Sequence, residues 1–290
     1  MAEWTIRLLQ SAEEMTAVES LQRQVWSGSE TDVIPAHLLL AVVHNGGLAL
    51  GAFAGGKLVG GVFGFPAFYP TPDGPRLKHH SHILGVLPEW NGKGIGFSLK
   101  RAQWQLVRNQ GIDRITWTFD PLLGLNAHLN ITRLGAVCNT YLRSEYGKMR
   151  DNLNTGLPSD RFQVDWWLNT KRVERRLSRR PRPALTLEHY RTAEAAVLET
   201  QTGKGISLRP PGDKSSITGT LVIIEIPSDF LTLKTNDLSL ALEWRSYTRQ
   251  VFEEAFAAGY LVTDFVHENG RSFYVLTHED STLQGANLAD

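Results

Sequence analysis

Apolar and polar positions alternate along this chain at two spacings, and the switches between them mark its elements. Trp4–Leu9 reads as a short strand, and Ser11 with Glu14 three residues on is the capping box of a helix running to about Trp26. A second helix spans about Pro35–His44, with proline in its first turn. Leu48–Phe53 and Leu58–Phe65 flank Gly55-Gly56 and predict a hairpin. Pro66–Pro75 holds four prolines and predicts an irregular surface loop. In the next strand His80, His82, Leu84 and Val86 fall at period two, which places them on one face. Pro88 ends that strand because it has no N–H for the ladder. From Ile95 the chain reads as a long helix, and Arg114–Phe119, β-branched and aromatic, as a strand. Asn126–Leu134 is a short helix stopped at Gly135, and Ala136–Arg143 and Phe162–Leu168 are two further strands. The order is β-α-α-β-β-β-α-β-α-β-β.

The pattern then breaks. Lys171–Pro183 carries seven basic residues in thirteen and two prolines. It reads either as a nucleic-acid patch or as a solvated helix leading into a linker, and the balanced charge of the chain favours the linker. The expected organisation is therefore a domain over 1–170, a basic linker over 171–184 and a smaller α+β domain over 185–290. That last part contains a strand (Leu221–Ile226), a loop, an amphipathic helix (Leu238–Ala257) stopped by Gly259, and two strands (Tyr260–His267, Ser272–Leu276) joined at Asn269-Gly270, a type I′ turn signal.

Composition narrows the classes. Thirty acidic and thirty basic residues cancel in 290, so no global field attracts nucleic acid or an anionic membrane. The single Cys138 rules out an intramolecular disulfide and a cysteine-based zinc cluster, and its apolar surroundings suggest a buried side chain. The N-terminus lacks the basic-then-apolar order of a signal peptide, and no apolar run reaches the roughly 20 residues needed to span a bilayer. The expectation is a cytoplasmic protein, with no nucleic-acid or membrane partner.

The candidate chemistry lies between strand and helix, in Asn91-Gly92-Lys93-Gly94-Ile95-Gly96. Three glycines in five residues let the backbone turn tightly and aim its N–H groups at one point, and the helix N-terminus behind them adds partial positive charge. Together they suit a pyrophosphate. A Walker loop would need Ser or Thr after Lys93, where Gly94 stands, and the glycine spacing is not the dinucleotide fingerprint. The stretch Val86-x-Pro88-Glu89-x-x-Gly92-Lys93-Gly94-Ile95-Gly96 resembles the coenzyme A loop of the GNAT acyltransferase superfamily, with Asn91 in place of the usual Gln or Arg. The element order is also that of the GNAT fold, so the resemblance covers about residues 4–168. It implies an α/β (α+β) class: a mixed central sheet with flanking helices, followed by the smaller C-terminal α+β domain.

The resemblance also implies roles. Leu84, Gly85 and Val86 would hold pantetheine and polarise the thioester, and Asn91, Gly92, Lys93, Gly94, Ile95, Gly96 and Phe97 would cradle the pyrophosphate of acetyl-CoA or another acyl-CoA. His80 stands where some members carry a glutamate base, and His82 follows on the same face. Each is either a proton acceptor for the amine or a polar residue of a half-exposed strand. The family's tyrosine acid falls at Ile131 here. Tyr141 and Tyr146 are either its replacements or packing residues. Asn126 and Asn130, four apart, are candidates for pantetheine contacts. Asp120 would bind the acceptor ammonium or cap the turn before Pro121. No third ligand accompanies the histidines, so no metal is expected.

WTFDPL, NAHLN, GLPSDRF, WRSYTR and GYLVTDF resemble a bacterial GNAT subfamily with an extra C-terminal domain. Similar proteins are associated with N-acylamino acid metabolism, including succinyl transfer. In that setting Arg245 and Arg249 would bind a carboxylate, against the alternative of a solvated face or domain interface. The expected activity is acyl transfer to the amine of a small molecule by direct attack in a ternary complex, in a protein that could form a homodimer. The alternative is a non-catalytic acyl-CoA-binding or regulatory module.

Overall fold

The computed structural model describes residues 3–27, 30–149, 155–178, 184–200, 209–211, 217–278, 280 and 283. Its contacts separate two compact units, one of Met1–Trp117 and the other of Thr118–Met149 with Asn154–Ala286, apart from short segments outside the described residues. The division falls inside a strand, two residues before its end.

The first unit begins with β1 (Thr5–Leu8) and α1 (Ala12–Val25). The capping box is formed: Ser11 Oγ accepts from Glu14 N–H, and the Glu14 carboxylate accepts from Ser11 N–H at 3.0 Å. After α2 (Ala36–His44) come β2 (Leu48–Ala54), β3 (Lys57–Tyr69) and β4 (Arg76–Val86), then α3 (Ile95–Asn109) and β5 (Arg114–Phe119). The sheet runs β1-β2-β3-β4-β5, antiparallel except for the parallel β4–β5 pair. Two adjacent glycines show its two covered faces. A Cβ on Gly60 would meet Ile95 of α3, and one on Gly61 would meet Leu21 of α1. Leu9, Met15, Val18, Leu39, Ala49 and Phe63 form the core on the α1–α2 side.

Two sequence expectations change here. The first four residues of Pro66–Pro75 are not loop: β3 continues to Tyr69, with Pro66 opposite His79, and the loop is confined to 70–75. β2 pairs with β3 only as far as Gly64, so Pro66 lies on an edge stretch, where a missing N–H removes no ladder bond. The second concerns the face of β4. Phe63 pairs with Ile83 but Gly64 with Ser81, so His82 is an extra, bulged residue and the side-chain parity inverts across it. His80 and His82 lean on Phe65, which packs on the α1–α2 core. Val86 instead shares the α3 side with Ile95. The four residues expected on one face occupy two.

In the second unit, α4 (Gly124–Ala127) runs on as a π-helical turn (His128–Arg133), followed by β6 (Val137–Leu142), β7 (Arg161–Trp167), α5 (Lys171–Leu177) and α6 (Leu187–Thr192). Then come β8 (Ala196–Leu198), β9 (Leu221–Ile226), α7 (Phe230–Asn236), α8 (Leu238–Ala257), β10 (Leu261–Glu268) and β11 (Arg271–Thr277). Strand order is β7-β6-β10-β11-β9-β8. Val262 of β10 pairs with Cys138 of β6, so the C-terminal strands share a sheet with β6 and β7. Phe162 is ringed by Phe119, Tyr141, Phe252 and Tyr274 at centroid distances of 4.8–5.8 Å. Asn269 and Gly270 both have positive φ, as a type I′ turn demands.

The basic stretch begins as the expected helix, but that helix is packed rather than solvated all round. Arg172 of α5 is buried and donates to the carbonyls of Gly135 and Thr263 and to Asp280. Residues 179–183 lie outside the described residues. The loop expected before α8 is largely α7, capped by Asp229.

Candidate active site

Strand β4 ends at Val86, and the chain turns through Pro88–Trp90 into the glycine loop. Gly92 and Gly94 have φ of +74° and +81°, where an L side chain is strained. Gly94 is the N-cap of α3, with no side-chain cap and no acidic residue in the first turn. A helix opening without a side-chain cap at its N-cap leaves its dipole to favour an anion in front of it. A Cβ at Gly92 or Gly94 would meet nothing within 4 Å, so the loop leaves open space for a bulky anion. Lys93 Nζ rests 4.2 Å from the Trp90 ring centroid. These residues suit a pyrophosphate.

Strand β4 pairs with β3 as far as Val86, but with β5 only at His79↔Ile115 and His80↔Thr116. Beyond that point β4 has no β5 partner for its backbone groups. The segment Leu84–Val86 lies in this parted stretch, and Gly85 abuts the Trp26 ring, 2.9 Å from where its Cβ would be. At the parting, His80 and His82 stand 5.6 Å apart, centroid to centroid, with Phe65 within 6 Å of both. Burial, then the neighbouring His82, pushes the His80 pKa down to about 4. Desolvation lowers that of His82 as well. Both rings are therefore neutral at pH 7, able to accept a proton but weak as bases.

The remaining sequence candidates belong to the second unit. Asp120 is buried, and its carboxylate takes both Arg245 guanidinium Nη groups, one at 2.9 Å, while Oδ1 accepts from Leu122 N–H. Asp160 accepts from Arg249 at 2.8 and 2.9 Å, from Tyr141 O–H at 2.8 Å and from Ser144 N–H. Burial alone would raise the Asp160 pKa, but these donors lower it. Burial pushes the Tyr141 phenol well up, which makes it a poor proton donor. Arg245 and Arg249 do bind carboxylates, those of Asp120 and Asp160. Tyr146 is exposed, with its hydroxyl 2.7 Å from Thr118 Oγ1. Asn126 is exposed and Asn130 buried, so the two do not share an open face. Ile131 is buried. Cys138 is buried, with a raised pKa, and inert as a nucleophile.

Sequence reasoning passed over a buried polar group in the first unit. Lys100 and Gln103 lie on the inward side of α3 among Ile95, Leu99 and Val107. Lys100 Nζ donates to Ser81 Oγ at 2.7 Å and lies 3.7 Å from the Trp117 ring centroid. Gln103 reaches Ser81 Oγ at 3.0 Å and His79 Nε2 at 3.2 Å. The signal was available: the helical stripe 95-99-103-107 must be buried, and glutamine falls on it with lysine beside it.

Residues 12–129 match the family model of the acetyltransferase (GNAT) family. This stretch is a GNAT acetyltransferase domain, and the family implies an N-acetyltransferase that uses acyl-CoA. No curated protein matches the chain. Among solved structures, the chain is similar to the ribosomal-protein-S18-alanine N-acetyltransferase of Escherichia coli (13% identity, 57% of this chain, 94% of that one, TM-score 0.43). It is also similar to an IAA acetyltransferase of Bacillus cereus (16%, 57% and 99%, TM-score 0.42) and to a chain of the NatC complex solved with Gag peptide and CoA (14%, 57% and 98%, TM-score 0.44). The family match and the element order, not these superpositions, carry the assignment. Among the described residues no group of three or more His, Cys, Asp or Glu could hold a metal, and no helix is long and apolar enough to cross a membrane.

Proposed function

We propose that the protein transfers an acyl group from acyl-CoA to the amine of a small molecule by direct attack in a ternary complex. The observation that carries this reading is the uncapped N-terminus of α3 behind Gly92 and Gly94. The bound thioester supplies an activated acyl carbon. The chain's part is to hold the pyrophosphate on the loop amides, offer the unpaired β4 edge around Leu84–Val86 to the pantetheine arm, and keep a neutral imidazole, His82 or His80, near the parting to take the amine proton. An amino acid is a fitting acceptor class, and acetyl or succinyl a fitting acyl group.

The test has two arms. Gly94→Glu should abolish acetyl-CoA binding by calorimetry while the protein stays folded, because a carboxylate would project before the α3 N-terminus. Unchanged affinity in a folded variant would remove the loop from the site. Release of free coenzyme A across a library of amines then identifies the acceptor.

A second reading, a non-catalytic acyl-CoA-binding module, is favoured by one observation. Of the candidate acids and bases, Asp120 and Tyr141 are tied into internal pairs with Arg245 and Asp160. Tight acyl-CoA binding with no turnover on any amine would support it.

A further inference from the structure

Lys100 is 1% exposed, and no carboxylate among the described residues pairs with it. Its ammonium protons have three acceptors instead: Ser81 Oγ at 2.7 Å, Gln103 Oε1 at 3.3 Å and the face of Trp117. Burying such a group without a counter-ion costs stability, and burial drives its pKa well down. An apolar side chain would fill the same stripe without that cost, as Leu99 and Val107 do.

The position of the cluster suggests what the cost serves. The β4–β5 ladder ends at His80↔Thr116, and the next residue on each strand is Ser81 on β4 and Trp117 on β5. Those are the two residues that Lys100 Nζ touches across the strands. One side chain from α3 therefore joins both strands at the point where they part. Gln103 extends the brace to His79, the last-but-one paired residue of β4.

We propose that Lys100 is a positioning residue: with Ser81 and Trp117 it forms a wedge at the apex of the β4–β5 parting and keeps the β4 edge open for the amide-bearing pantetheine arm of acyl-CoA. The inference rests on the acyl-CoA reading above. It assigns Lys100 no contact with the pyrophosphate, which belongs to the glycine loop, and this separation makes it testable.

Calorimetry with coenzyme A and with 3′,5′-ADP, its nucleotide part alone, should find coenzyme A the tighter ligand in the native protein. Lys100→Met should keep its 3′,5′-ADP affinity within about twofold and lose coenzyme A affinity by about tenfold or more. Ser81→Ala, a milder change to the same wedge, should lose less, in the same ligand-selective way, and it carries the test if Lys100→Met does not fold. Equal loss of both ligands, or loss of neither, would overturn the wedge while leaving the acyl-CoA reading intact. A native protein that binds neither ligand would overturn that reading, and the wedge with it.

Discussion

The histidines of β4 are where a single residue's environment most changes what should be measured. A base works in its neutral form, so a rate that depends on His80 is present above its lowered pKa of about 4 and is lost as the pH falls through that value. Over pH 6–8, kcat/KM should therefore be flat as far as His80 is concerned. A limb rising in that range belongs to the acceptor amine or to His82. The amine's limb should move when acceptors of different pKa are compared, whereas a limb set by His82 should not and should vanish in His82→Ala. His82→Ala should lower the rate by about 100-fold with acyl-CoA affinity nearly unchanged, and His80→Ala by less. Wild-type rates in both variants and in the double variant would make the two rings structural. At this scale the sequence conveys residue types well and partners poorly. Gly92 and Gly94 could be read because positive φ is a property of the glycine itself. The engagement of Asp120 by Arg245 could not, because 125 residues separate them and neither carries a local sign of the other.

At the scale of the element, the bulge in β4 governs which side chains face which helix. Gly64 stands directly opposite it, and a Cβ there would meet His79 Nε2 and come within 2.5 Å of the His80 carbonyl, which is backbone and cannot rotate away. Gly64→Ala should destabilise by about 1–3 kcal/mol or more through overpacking. Gly61→Ala, whose Cβ would lie 3.3 Å from Leu21, should cost less. Urea unfolding of the two variants gives the comparison, and equal stabilities would mean that the bulge yields freely. Periodicity identified β4 as a strand but not its bulge, because an extra residue leaves the amino-acid pattern unchanged and alters only the pairing. Helix α8 and the capping box of α1 were legible from apolar spacing and from a contiguous motif. Helix α7, only seven residues long, is too short to show a period.

For the whole molecule, the basic stretch after β7 looks like a boundary in composition, yet ties cross it throughout the second unit. Arg245 and Arg249 of α8 neutralise Asp120 and Asp160, β10 pairs with β6, and Phe252 and Tyr274 cover Phe162. A chain ending at Thr170 would strip Arg249 from Asp160, leave Asp120 with Arg161 at 3.9 Å in place of the paired Arg245, expose the β6 edge and uncover an aromatic cluster. It should accumulate as insoluble protein, as a solubility assay against the full chain would show. A soluble truncation with a cooperative melt would mean that residues 118–170 need none of these ties.

The same ties fix an order in time. Arg245 follows Asp120 by 125 residues and Arg249 follows Asp160 by 89, so at about 5–20 residues per second a ribosome delivers each arginine about 4–25 s after its carboxylate. Through that interval Phe162 and both acidic groups are held in water on a nascent chain. The second unit can close only once α8, β10 and β11 have been made, and a chaperone that shields aromatic surface has its longest opportunity before then.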